Sequence, residues 1–142
     1  MESSFVQRIG RIEYYYTVVP NKVGAGAKVF NELKAEGVNL LAFNGFPLSA
    51  QRTQLDFVPS SGDALVAAAK KAGIKLVGPK VAFLISEWEH LGAVADILSK
   101  LGQAGVNVTA MQAIDTGDWR FGAILWVKQH DIGKAAQALG IS

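Results

Sequence analysis

The chain has 142 residues, half of them hydrophobic, enough for one ordinary domain or two very small ones around a sizeable core. Its 14 basic and 12 acidic side chains are scattered through both halves, and a net charge of +2 leaves no tail or stripe to collect phosphates or anionic lipid, so neither nucleic acid nor membrane is suggested as a partner. There is no cysteine, which excludes disulfides, thiolate catalysis and cysteine-ligated metal.

The opening stretch "MESSFVQRIGR" lacks an apolar segment of signal-peptide length. No later run reaches the roughly eighteen continuous apolar residues of a membrane span, so the cytoplasm is the expected location. Tyr14 to Val19 is an apolar, aromatic and β-branched run that reads as a buried strand. "PNKVGAGAKVF", residues 20–30, then places Gly24 and Gly26 ahead of a helix. In that helix Ala27, Phe30 and Leu33 recur three apart as one apolar face, and Gly37 stands where it should stop in the left-handed conformation. Val38 to Phe43 reads as a second strand, "NGFPLSAQ" as a turn, Thr53 to Val58 as a third strand, Gly62 to Ala72 as a second helix and Ile74 to Gly78 as a fourth strand. Val81 to Ile85 opens the same series again. A helix with Ala95, Leu98 and Leu101 on one face ends at Gly105, and it is followed by a strand at Val106 to Ala113, the turn "DTGD", a strand at Arg120 to Lys128 and a helix at Asp131 to Leu139.

The series recurs because the sequence does. A shift of 68 positions lays "VGAGAKVFNELKAEGVNLLAF" on "LGAVADILSKLGQAGVNVTAM" without gaps, and Gly24, Ala25, Ala27, Leu33, Gly37, Val38, Asn39 and Ala42 each meet an identical residue. The second copy reaches Ser142 without a fourth strand. In the same register Val6 to Gly10 matches the strand that ends the first copy, with Gly10 on Gly78, so two four-stranded sheets are expected; residues 5–10 are expected to complete the second, the alternative being a hairpin folded back on Tyr14 to Val18 through a turn at Gly10. The domain division that follows is 11–78 and 79–142.

The βαββαβ order, the glycine before the first helix and the "GVN" leading into the second strand, all present twice, resemble the ACT domain, a small regulatory module of amino-acid biosynthetic enzymes. The resemblance covers nearly the whole chain. It implies an α+β, ferredoxin-like fold in two tandem copies, with antiparallel sheets carrying helices on one face. In ACT domains that bind amino acids, the loop reads Asn/Asp-x-Pro-Gly, and an Asn at the start of the second strand completes the site across a subunit contact. Asn21-Lys22-Val23-Gly24 matches the first pattern with Val for Pro, and Asn39 of "GVN" matches the second.

The chemistry is independent of the resemblance. N–H groups at Val23 to Ala27, at the positive end of a helix dipole, attract a carboxylate, and a neighbouring amide oxygen accepts from an ammonium. A free amino acid carries both groups, and with the second-strand residues that the resemblance implies, the site is expected at Asn21, Val23, Gly24, Ala25, Gly26, Asn39 and Leu40. A weaker second site is expected at Glu89, Leu91, Gly92, Ala93 and Asn107, because the Glu89 carboxylate repels a ligand carboxylate. Two plainer readings stand beside these: the glycines let the strand turn tightly into the helix, and each Asn bonds its own backbone.

Other motifs are weaker. A dinucleotide fingerprint fails because its third glycine would be Val29, inside the helix. His90 and His130 stand forty positions apart with no further ligand pattern, so no metal is expected. No catalytic motif occurs, and neither an enzyme nor a cofactor is expected. The Asn107-Val108-Thr109 sequon has no meaning without secretion.

An RNA-recognition fold shares this strand order, and "RFGAILW" resembles its aromatic strand. Alternation decides against it, since Thr53, Leu55 and Phe57 point inward while Arg52, Gln54 and Asp56 point outward. The repeat then puts Phe121 in the core and Gly122, Ile124 and Trp126 on the outer face. Ile124 and Trp126 are expected to form a homodimer contact, because they would not face water comfortably. The leading expectation is a non-catalytic regulatory protein that binds a free amino acid or similar metabolite. A ligand-free interaction module of the same fold is second, and an RNA binder third.

Overall fold

The computed structural model describes residues 8–141 and gives an α+β fold of six strands and four helices. In chain order these are β1 (Arg8–Pro20), α1 (Ala25–Ala35), β2 (Leu40–Pro47), β3 (Arg52–Pro59), α2 (Gly62–Ala72), β4 (Val77–Trp88), α3 (Ala93–Gln103), β5 (Val108–Asp115), β6 (Arg120–Val127) and, after a 3-10 turn at Gln129–Asp131, α4 (Ile132–Ala138). The strands are hydrogen-bonded in the order β2-β3-β1-β4-β6-β5, a single sheet where the sequence leads one to expect two. Strand continuity is the reason. Ile74 to Gly78 and Val81 to Ile85 read as separate strands, but β4 runs unbroken from Val77 to Trp88, and Ile74 to Leu76 precede it as coil. In the same way β1 takes up both the end of the expected N-terminal strand and Tyr14 to Val19; residues 5–7 of that strand lie outside the described residues.

The chain divides into two compact units, Glu13–Lys80 and Val81 onward together with the segment up to Ile12. In the unit Glu13–Lys80, β3 pairs antiparallel with β1, Tyr15 opposite Phe57 and Pro20 opposite Arg52, and with β2, Phe43 opposite Phe57 and Leu40 opposite Pro59. The start of β4 lies along the free side of β1. There the Thr17 hydroxyl donates to the Lys75 carbonyl at 2.8 Å, and a Cβ at Gly78 would lie 2.9 Å from the Tyr14 carbonyl oxygen. The core gathers Tyr15, Val29, Leu33, Leu55, Phe57, Leu65 and Ala68 beneath α1 and α2. The Phe30 ring stands edge-on to Phe43, with 4.6 Å between centroids.

In the unit beginning at Val81, β6 pairs antiparallel with β4 and β5, and the core includes Phe83, Ile85, Ile97, Leu101, Phe121, Leu125 and Ala135. Ile9 of β1 packs against this cluster. Both first helices bury a different stripe from the one their three-residue spacing suggests. α1 buries Val29 and Leu33, with Phe30 half-buried and Ala27 exposed; α3 buries Ala93, Ile97 and Leu101 and leaves Ala95 and Leu98 exposed. A four-residue ridge follows the helix axis more closely than a three-residue one, so it holds the same face to the sheet over two turns. Gly37 and Gly105 end these helices at φ 75° and 74°, in the left-handed conformation expected of them.

Strand alternation is as read for the helix-covered face: Leu55, Phe57, Phe121, Ala123 and Leu125 all lie in the cores. Phe121 is therefore unavailable for stacking on a base. The opposite parity differs from expectation. Asp56 is buried rather than exposed and accepts a 2.8 Å hydrogen bond from Gln54 Nε2. Ile124 and Trp126, expected to face water and so to require a partner, are only 7% and 6% exposed in the single chain. Their apolar surface is already covered, and their exposure no longer argues for a dimer. Among the described residues no helix is long and apolar enough to cross a membrane.

Candidate functional site

The loop between β1 and α1 is built around Gly24, which occupies the N-cap of α1 at φ 85°. A side chain there would be strained, and glycine lets the strand reverse into the helix within four residues. The Ala25 N–H donates to the Lys22 carbonyl at 3.2 Å, and the Lys28 N–H makes the first intrahelical bond, to the Gly24 carbonyl at 3.0 Å. The N–H groups of Gly26 and Ala27 fall between these and have no acceptor within the helix. No side chain caps α1, whereas Ser61 caps α2 by accepting from the Ala64 N–H at 3.2 Å. α3 repeats the arrangement of α1, with Gly92 at its N-cap at φ 80° and no side-chain cap.

Asn21 is held by the neighbouring turn. Its backbone N–H donates to the Gln51 carbonyl at 2.8 Å, and its Nδ2 donates to the Ala50 carbonyl at 3.2 Å. The amide thus ties the loop to the rest of the chain and keeps its oxygen as an acceptor. Val23 stands at the loop tip, fully exposed, and Leu91 stands fully exposed at the matching tip of the second unit.

The structure separates two groups that the sequence pattern joins. Asn21 to Gly26 follow Pro20, which is opposite Arg52 at the start of β3, while Asn39 precedes Leu40, which is opposite Pro59 at its end. Seven strand steps lie between, roughly 23 Å. Asn39 is exposed, and its backbone carbonyl accepts from the Ser60 N–H at 3.0 Å and the Ser60 hydroxyl at 3.2 Å. Asn107 and Glu89 are parted in the same way by the length of β6, because Trp88 pairs with Arg120 and Val108 with Val127.

A cleft of about 500 Å³ opens beside the first loop, inside the unit Glu13–Lys80. Its walls are the end of β1, one face of α1 and the segment after α2. It exists because β1 outruns its neighbour: β4 begins at Val77, and its next residue, Gly78, lies beside Tyr14 and Tyr15, so Val18 to Pro20 have no strand of this unit on that side. Ala25, Lys28, Val29 and Glu32 recur at helical spacing along the α1 wall, and Lys22 and Lys75 line the same space. Sequence reasoning passed over Lys22, Lys28, Glu32 and Lys75. The available signal was the repeat itself, since the first three fall on His90, Asp96 and Lys100 in the second copy, a change or reversal of charge at every position.

The second unit carries a smaller hollow of about 290 Å³, lined by Glu89, His90, Gly92, Ala93 and Asp115 among others. A hydrogen bond between the Glu89 and Asp115 carboxyls pushes Glu89 up from the ordinary carboxylate range and holds Asp115 below it. The Gly117 N–H also donates to Asp115 Oδ1, at 2.8 Å. His90 Nε2 lies 3.6 Å from Oε2 of the buried Glu87. Negative charge dominates this hollow, as the sequence suggests for Glu89. No group of three His, Asp or Glu side chains suited to a metal ion occurs among the described residues.

No family model matches the chain, and no curated protein matches it by sequence. Solved structures do share its fold. Protein BT0572 from Bacteroides thetaiotaomicron is 22% identical over 91% of this chain and 86% of its own, with a TM-score of 0.79. The ligand-free regulatory subunit of aspartate kinase from Thermus thermophilus is 17% identical over 94% of this chain and 93% of its own, with a TM-score of 0.60. A C-terminal regulatory domain of aspartate kinase from Porphyromonas gingivalis is 16% identical, covers 94% of each chain and has a TM-score of 0.55. The chain therefore has an ACT-like fold, that of the aspartate kinase regulatory domains.

Proposed function

We propose that the chain is a non-catalytic regulatory protein made of two tandem ACT-like repeats, 11–78 and 79–142, the second completed by the N-terminal strand, and that it binds a free amino acid at the loop between β1 and α1. The observation that carries this reading is the uncapped start of α1, where the Gly26 and Ala27 N–H groups lack helical acceptors beside a cleft of about 500 Å³. A ligand carboxylate fits such an end. The fold shared with aspartate kinase regulatory domains supports a regulatory role over a catalytic one. Asn39 lies too far from the loop of its own unit to touch the same ligand, so its participation requires a second copy, and the protein acts as a homodimer in the cytoplasm. The acidic second hollow binds a carboxylate more weakly than the first.

A thermal-shift screen against the twenty amino acids tests the proposal. A ligand at a hundredfold excess over its Kd stabilises the native state by about 2.7 kcal/mol. A shift with at least one amino acid is expected; none with any of them would leave the interaction-module reading, which the fully exposed Val23 and Leu91 at the two loop tips favour.

A further inference from the structure

The cleft beside α1 has a charge pattern that a generic amino-acid site does not need. Three lysines, Lys22, Lys28 and Lys75, are among its lining residues together with one acidic residue, Glu32. None of the three lysines forms an ion pair among the described residues, although Lys71 of the same unit pairs with Glu36 at 3.1 Å. Like charges grouped around one concave space raise its potential and concentrate anions there. A zwitterion with a neutral side chain brings one negative and one positive group and leaves two lysines without a counterion.

We infer that the cleft takes an amino acid with an acidic side chain, one carrying two carboxylates and one ammonium. The inference rests on the amino-acid-binding reading above and narrows it. Lys28 and Glu32 are one helical turn apart on the α1 face that lines the cleft, so a ligand ammonium directed to Glu32 sets its carboxylates toward Lys28 and Lys22, with Lys75 on the opposite wall. Ligand and wall then match in charge type, and the ligand's net negative charge meets a net positive wall. The second repeat lacks the pattern, since His90, Asp96 and Lys100 stand at the matching positions, and it does not take this ligand.

The test is calorimetric titration of the full chain with aspartate, glutamate, their amides asparagine and glutamine, and the matching dicarboxylates without an ammonium, succinate and glutarate. At least one acidic amino acid is expected to bind tenfold or more tightly than its amide, and more weakly as salt is raised. Lys28→Gln should cost about tenfold in that affinity. Glu32→Gln should weaken the acidic amino acid while leaving the dicarboxylate unchanged or tighter, a split that general disruption of the helix would not produce. If an amide or another neutral or basic amino acid binds as tightly as the acidic one, the acidic preference is wrong and amino-acid binding survives. If no amino acid binds, both fall.

Discussion

The Asn21 amide nitrogen donates to the Ala50 carbonyl at 3.2 Å, tying the loop ahead of α1 to the turn between β2 and β3. The proposed ligand loop is therefore anchored before any ligand arrives, which reduces the ordering cost of binding. Replacing Asn21 with Ala is expected to lower stability by about 1 kcal/mol, the ordinary net value of one such bond, and also to weaken ligand binding by loosening the loop. Urea denaturation with and without ligand measures both. An Asn21→Ala protein as stable as the parent would show that the contact to Ala50 anchors nothing.

Asp56 supplies a pH dependence. Burial pushes its carboxyl above the ordinary carboxylate value, against the opposing effects of the Gln54 hydrogen bond and the Lys80 charge. A carboxyl with a raised folded pKa binds its proton more tightly in the native state, so ionisation costs stability above that pKa and the cost vanishes as pH falls toward the unfolded value near about 4. Asp56→Asn, which can still accept from Gln54, should melt higher than the parent at pH 7. The difference should shrink as pH falls into the ordinary carboxylate range. A gain that stays constant across this range would assign the effect to packing.

Trp126 is buried in the single chain, so Trp126→Asp should damage the fold itself and not merely dissociate a dimer. Placing a carboxylate in that space and removing the indole costs several kcal/mol. Circular dichroism should show a large fall in melting temperature or no cooperative transition. A folded, equally stable monomer would instead restore Trp126 as a subunit contact.

Ser61 offers a control for the uncapped helices. Its hydroxyl accepts the Ala64 N–H, and Ser61→Ala should cost about 1 kcal/mol with no effect on ligand affinity, since α2 begins away from the loop at residues 21–26. Changed affinity in this variant, measured by titration, would mean that the binding site extends to α2.

Much of this was legible in the sequence because it depends on local pattern. The 68-residue repeat, the alternation that buries Phe57 and Phe121, and the boundaries Gly62–Ala72 of α2 all follow from neighbours along the chain. What was misread depends on partners distant in sequence. Nothing local shows that β4 runs unbroken from Val77 to Trp88, that Asp56 and Trp126 are covered, or that the stripe of α3 buried with Leu101 is Ala93 and Ile97 and not the equally apolar Ala95 and Leu98. The loop at Asn21 to Gly26 was visible from its glycines. Its cleft was not, because that space arises from the mismatch in length between β1 and the start of β4, and its lysines read as ordinary surface charge.

The most direct measurement is a titration of the nitrogen-15-labelled chain with each acidic amino acid, following backbone amides by nuclear magnetic resonance. The largest shifts are expected at Gly24, Gly26 and Ala27, where N–H groups meet the ligand carboxylate, with smaller ones at Lys22, Lys28 and Lys75 and none at Gly92 or Ala93. If no amide moves with any amino acid, or if the shifts gather away from the start of α1, the assignment of this loop as the ligand site is contradicted.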